Sequence, residues 1–202
     1  MAPAARTAHL RDSLSTMIGD PASKRPNSLK LGTVAPSFKL PGVDGADHTL
    51  PAPGEASATV VIFTCNHCPY ALAWHDRIVS VARDYADRGV RCFAINSNDA
   101  QRFPNDSFDA MCARVAADPW NMPYLHDETQ QTARSYDAQT TPDVYVFNRE
   151  LQLVYSGAPD ADFDDPAQNA SWLRDALDAT LNDATPDRPE TGPVGCSIKW
   201  RE

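Results

Sequence analysis

From Leu31 onward the chain alternates short apolar runs with longer segments in which apolar positions recur every three or four residues. Ala58-Thr59-Val60-Val61-Ile62-Phe63 is continuous and rich in β-branched side chains, the pattern of a strand buried on both faces. Leu72, Trp74, Ile78, Val79, Val81, Ala82 and Tyr85 follow near the 3.6-residue period and predict a long helix that Gly89 closes. Residues 90–95 read as a second strand, and Phe108, Met111, Cys112 and Val115 as one face of a second helix. Ahead of these, Phe38-Lys39-Leu40 and His48-Thr49-Leu50 flank Pro41-Gly42-Val43-Asp44-Gly45 and predict a hairpin.

Further on, residues 124–126 lead into a helix expected over 128–136 with Asp127 as its cap. An antiparallel pair is expected over 143–147 and 151–155 about a turn, and a last helix over 172–181. The order hairpin, β, α, β, α, α, β, β, α predicts an α/β fold, a mixed sheet with helices on both faces. We read residues 1–30 as an arm with a helical turn or two around 10–18, 31–184 as one domain, and 185–202 as an extended tail packing on it.

Composition narrows the function. Among 202 residues, 18 basic against 27 acidic give a net charge of -9, which argues against nucleic-acid backbones and anionic membrane surfaces. No apolar stretch approaches the roughly 20 residues of a bilayer span. The five cysteines, Cys65, Cys68, Cys92, Cys112 and Cys196, are too few and too scattered for a secreted disulfide framework. A cytoplasmic, reducing compartment is the expectation, although Arg, Ala and Ser without an acid before Asp12 also suit an organellar transit peptide.

Cys65-Asn66-His67-Cys68 stands between the buried strand and the long helix. A thiolate is the nucleophilic form of cysteine, and a helix N-terminus stabilises it. Two-residue spacing lets the second sulfur resolve a mixed disulfide on the first. We therefore expect Cys65 to attack, Cys68 to resolve, and His67 to lower the thiolate pKa, with Pro69 filling the first helical position. Zinc is the chemical rival, but only Cys65, Cys68, His67 and Cys196 could supply it, and no second C-x-x-C exists. Two inert buried thiols are the bland alternative. Neither metal nor cofactor is expected.

Five sequence blocks carry a resemblance. Gly32-Thr33-Val34-Ala35-Pro36-Ser37-Phe38-Lys39-Leu40 resembles the opening of the alkyl hydroperoxide reductase / thiol-specific antioxidant group. Phe63 to Tyr70, Tyr124 to Gln130, Thr141-Pro142-Asp143 and Gly195 to Trp200 resemble the peroxiredoxin-like branch of the thioredoxin superfamily. The resemblance implies a thioredoxin-like fold with an N-terminal hairpin extension. It also implies a cis Thr141-Pro142 bond facing the cysteines, with Pro142 lining a groove and the backbone before it pairing with a substrate chain. Asn66, Pro69, Thr141 and Pro142 are accordingly the expected substrate-binding residues. Two departures stand out. Neither Cys65 nor Cys68 keeps the threonine of the peroxiredoxin Pro-x-x-x-Thr-x-x-Cys pattern, and Thr140 stands where relatives often carry another cysteine.

The leading expectation is a thiol–disulfide oxidoreductase acting on a protein disulfide or dithiol, with a thioredoxin system as partner. A peroxide-reducing antioxidant, with Cys68 attacking peroxide and Cys65 or Cys196 resolving, is the second. A non-catalytic thioredoxin-fold binding or redox-sensor module, with zinc on the cysteines as an option, is the third. Cys196 could accept a disulfide or simply anchor the tail. Cys92 and Cys112 read as core packing, Trp74 as core, His75 as a surface or satisfied partner, and Asp160, Asp162, Asp164 and Asp165 as a solvated acidic loop.

Overall fold

The computed structural model describes residues 29–192 and 194–202; the helical turns expected around 10–18 lie outside them. The hairpin forms as β1 (Lys39–Pro41) against β2 (Asp47–Thr49), with Leu40 opposite His48. The apolar run becomes β3 (Ala58–Phe63), and α1 (Pro69–Ala86) follows it. Then come β4 (Val90–Asn96), a 3-10 turn at Pro104–Asp106, α2 (Phe108–Ala117) and β5 (Tyr124–His126). The second half holds α3 (Gln131–Ser135), β6 (Thr140–Thr141), β7 (Asp143–Phe147), β8 (Leu153–Gly157), α4 (Ser171–Leu181) and β9 (Cys196–Ser197).

Five strands make the central sheet in the order β5-β4-β3-β7-β8. β3 runs parallel to β4 and antiparallel to β7. Alternation along β3 divides the core in two. Val60 and Ile62 pack with Trp74, Ile78, Val81 and Tyr85 of α1 and Leu173 and Leu177 of α4. Val61 and Phe63 face Phe93, Tyr136, Tyr145 and the hairpin residues Phe38 and Leu40. Both faces are covered, which is why the strand carries no polar alternation. This is the α/β mixed sheet that the order of elements predicts, in the thioredoxin-like form that the resemblance implies. No helix among the described residues is long and apolar enough to cross a membrane.

Several elements differ from expectation for local reasons. The helix expected over 128–136 shrinks to Gln131–Ser135, because Gln130 takes a left-handed backbone at φ 62. The Asp127 carboxylate still caps it, accepting the N–H groups of Thr132 and Ala133 at 3.3 and 2.9 Å. β8 starts two residues late, after Leu151 turns through φ 59. Leu72, counted on the apolar face of α1, is 45% exposed. Asp160 is buried rather than solvated: it accepts Trp74 Nε1 at 2.7 Å, Arg77 Nη1 at 3.0 Å and the Ala170 N–H at 2.9 Å.

Candidate active site

The parallel strands β3 and β4 deliver their C-terminal ends to one sheet edge, the edge where ligand sites of α/β folds form. Cys65 lies just past β3, whose last rung is extended by the Thr64 N–H on Ile95 O at 2.8 Å. Cys68 is the N-cap of α1 with Pro69 inside the first turn, where its missing N–H leaves nothing unsatisfied. Both cysteines are free thiols, and they are 2% and 0% exposed.

Thr141 meets both sulfurs. Its hydroxyl lies 3.4 Å from Cys65 Sγ, and its carbonyl accepts the Cys68 thiol at 2.9 Å. The Thr141-Pro142 bond is cis. On the other side of Thr141 stands Cys196, its register partner across the β6–β9 pair. Cys196 is half-buried and packs against the core layer that holds Cys65 and Cys68, where its thiol and that of Cys68 influence each other's ionisation. Three sulfurs therefore gather around one residue.

Their surroundings divide the charge unequally. Cys65 is held well above the ordinary thiol range, first by the hydrogen bond it shares with Cys68, then by burial and by the Asp106 carboxylate. Cys68 is held below that range by the same hydrogen bond, which outweighs burial, with help from Thr141, the Ala71 N–H and Cys196. As a thiol Cys68 donates to the Thr141 carbonyl; as a thiolate it becomes the acceptor for these neighbours. Spacing alone puts the attacking thiolate at Cys65. The helix N-terminus acts on the residue that caps it, and that residue is Cys68. Cys196 is pushed up to about 12 by burial and by Cys68.

The His67 ring lies between Asp106 and Phe103. Its Nδ1 lies 2.7 Å from Asp106 Oδ2, out of line for a well-directed hydrogen bond, and its ring stacks on Phe103 with centroids 5.3 Å apart. The leading influences on the two thiols are each other, burial, Thr141 and Asp106, rather than His67. Asn66, expected to bind substrate, is fully engaged: its Nδ2 donates to Asn105 O at 2.8 Å, and its Oδ1 accepts the Tyr124 hydroxyl at 2.9 Å. The strand edge at Thr141, expected to receive a substrate chain, is taken by β9.

Asp106 is the residue that sequence reasoning missed. It is fully buried and accepts the Asn66 N–H at 2.7 Å and Asn98 Nδ2 at 2.8 Å. No signal in the sequence singles it out: it is an acid in a polar turn after Pro104. Cys65 Sγ, a ring nitrogen of His67 and an Asp106 oxygen lie within 4.8 Å of one another. They are the donors that could hold a cation here, a different set from the one expected for zinc, and the Asp106 oxygens already have partners. Cys92 is buried in β4 and pushed up to about 12 by that burial; Cys112 is half-buried on α2, its Sγ 4.0 Å from Val43 O. His75 meets Asp118 at 3.2 Å. A surface cavity of about 630 Å³ lies elsewhere, between Leu31, Arg88 and Leu153, and no cysteine lines it.

Comparison with known proteins adds to this geometry. The sequence profile of the AhpC/TSA family matches residues 31–156. An uncharacterized conserved protein from Geobacillus kaustophilus is 40% identical, with a TM-score of 0.81, covering 91% of this chain and 98% of that one. A hypothetical protein from Sinorhizobium meliloti 1021 is 36% identical, with a TM-score of 0.81, covering 89% and 99%. Peroxidoxin BcpB from Mycobacterium tuberculosis shares the fold at 14% identity and a TM-score of 0.57, covering 77% and 97%. No curated protein matches the chain.

Proposed function

The chain belongs to the AhpC/TSA family as a peroxiredoxin-like member of the thioredoxin superfamily, and from that premise we propose that it is a thiol–disulfide oxidoreductase cycling Cys65 and Cys68 between dithiol and disulfide. Family and fold support redox function in general. The observation that carries the specific reading is the pair of free thiols at the head of α1 that both meet Thr141.

In this reading the Cys68 thiolate attacks one sulfur of a partner's disulfide, and the partner's other sulfur leaves as a thiolate. Cys65 then gives up its proton and attacks Cys68 Sγ. The Cys65–Cys68 bond forms, the partner is released as a dithiol, and two electrons have passed to it. His67, with a ring nitrogen within 4.8 Å of Cys65 Sγ, is the nearby group that takes the Cys65 proton in this reading. Protein disulfides or dithiols of a thioredoxin-type system are the proposed substrate class.

One observation favours a second reading. Cys68, the sulfur that would attack peroxide in this reading, caps α1, whose N-terminus favours a thiolate, and Cys65 meets the same Thr141, placed to condense with a sulfenic acid on Cys68. Two measurements separate the readings. Reduction of insulin disulfides by the full chain, lost in Cys68→Ser, supports exchange. A stopped-flow reaction with hydrogen peroxide far faster than that of free cysteine supports peroxide reduction. Failure of any oxidant to join Cys65 to Cys68 would overturn both.

A further inference from the structure

The site poses a problem of access. Cys65 and Cys68 are buried, and the strand edge through which a thioredoxin-type site would meet a partner is filled by this chain's own tail. The sulfur-bearing residue of the cluster that retains exposure is Cys196.

The tail is held in place on both sides of Cys196. Val194 is buried in the core layer under α1, and Ile198 in the layer on the opposite face of the sheet. The Ile198 N–H donates to Gln139 O at 3.0 Å. Lys199 donates its N–H to Asn98 Oδ1 at 2.8 Å, and its carbonyl accepts Gln130 Nε2 at 2.8 Å. The Arg201 N–H reaches Gln130 Oε1 at 2.8 Å. Gly195 allows the close approach: a Cβ there would lie 2.4 Å from Thr141 O, at φ +150. Anchoring is thus supplied by residues other than Cys196, and a thiol set against Cys68 adds little to it. Placement beside Cys68, partial exposure and rigid positioning are instead what disulfide exchange needs.

We propose that Cys196 is a third redox cysteine, fixed by β9 beside Cys68, that carries the disulfide between the buried Cys65–Cys68 pair and external thiols. The proposal rests on the exchange reading above. Cys196 gives up its proton and attacks Cys68 Sγ of the oxidised pair. The Cys65–Cys68 bond breaks, the Cys68–Cys196 bond forms, and Cys65 leaves as a thiolate and takes up a proton; no electrons are gained or lost. An external thiolate then attacks Cys196 Sγ and expels Cys68, a good leaving group because its thiolate is stabilised. A second external thiol releases Cys196, so two electrons enter the protein and the external thiols leave as their disulfide.

The test uses the full-length chain. Wild type, Cys65→Ala and Cys196→Ser are oxidised with diamide, and their bridges are mapped by mass spectrometry of non-reduced peptides. Cys65→Ala should trap Cys68–Cys196. Reduction of the wild-type Cys65–Cys68 bridge by dithiothreitol should slow about tenfold or more in Cys196→Ser, the scale on which placement governs exchange. Gly195→Ala, which pushes β9 off Thr141, should impair Cys68–Cys196 formation while sparing Cys65–Cys68. A wild-type Cys65–Cys68 bridge together with an unbridged Cys196 in Cys65→Ala overturns this inference and leaves the exchange reading standing. Absence of any bridge in the wild type overturns the exchange reading instead. If Cys65→Ala does not fold, the rate comparison decides alone, and equal rates in wild type and Cys196→Ser overturn the relay.

Discussion

The backbone N–H of Asn66 donates to Asp106 Oδ1 at 2.7 Å, so a carboxylate forty positions away fixes the two-residue link between the cysteines. The same carboxylate holds Asn98 Nδ2, and Asn98 in turn holds the Lys199 N–H of the tail. Asp106 therefore ties the cysteine loop to the tail just past β9. Asp106→Ala leaves these buried donors unpaired and should cost about 3–5 kcal/mol in urea unfolding, the range for breaking a buried charged network. Asp106→Asn, which keeps the shape and removes the charge, should lower the Cys65 pKa, because that charge helps hold it up. A loss below about 1 kcal/mol in Asp106→Ala, the level of a solvated pair, would remove the buried-network account.

The identity of the stabilised thiolate is open to direct titration. Thiolate absorbance of the reduced protein should rise with a midpoint well below the unperturbed value of about 8.5. That low-pH transition should vanish in Cys68→Ser and persist, moved upward, in Cys65→Ser, since the shared hydrogen bond is the largest influence on Cys68. Persistence in Cys68→Ser would return the role to Cys65.

Stability should follow the same two groups with opposite signs. Cys68 is held below its unfolded value, so its contribution is fully present above about pH 8.5 and is lost as pH falls through its folded value. Cys65 is held above, so its contribution is present below about pH 8.5 and is lost as pH rises toward its folded value. Measured against the double variant Cys65→Ser/Cys68→Ser, the reduced wild type should gain most in melting temperature near pH 8.5 and less on either side. A flat difference across pH would contradict the charge sharing.

Asp160 offers a test away from the chemistry. It accepts from Trp74, Arg77 and Ala170 while buried, so Asp160→Ala should destabilise by about 3–5 kcal/mol. Asp164→Ala on the exposed side of the same loop should change stability by no more than about 0.5 kcal/mol. Equal small effects in chemical denaturation would restore the solvated-loop picture.

What the sequence showed and hid follows from where the information lies. β3 was legible because six apolar residues need a covered sheet, and α1 because its apolar period is long. The hairpin announced itself through Pro41-Gly42. Short elements held by distant contacts were not legible: β6 and β9 are two residues each and exist because they pair with one another. Asp160 read as part of a solvated loop, and Asp106 carried no signal at all, because nothing local distinguishes a carboxylate that will collect buried partners from one left in water. The cysteine motif placed both sulfurs correctly at the strand–helix junction. It could not say which would hold the charge, since that depends on Asp106 and Thr141, brought in from elsewhere in the chain.

The β6–β9 pair has a consequence for the protein's solution behaviour. A strand edge left unpaired offers free N–H and C=O groups to any neighbouring chain. By folding residues 194–202 over that edge, the chain closes a surface through which copies of itself could otherwise zip together. A variant ending at residue 192 should therefore show concentration-dependent self-association in analytical ultracentrifugation, with reactive thiols brought to the new contact.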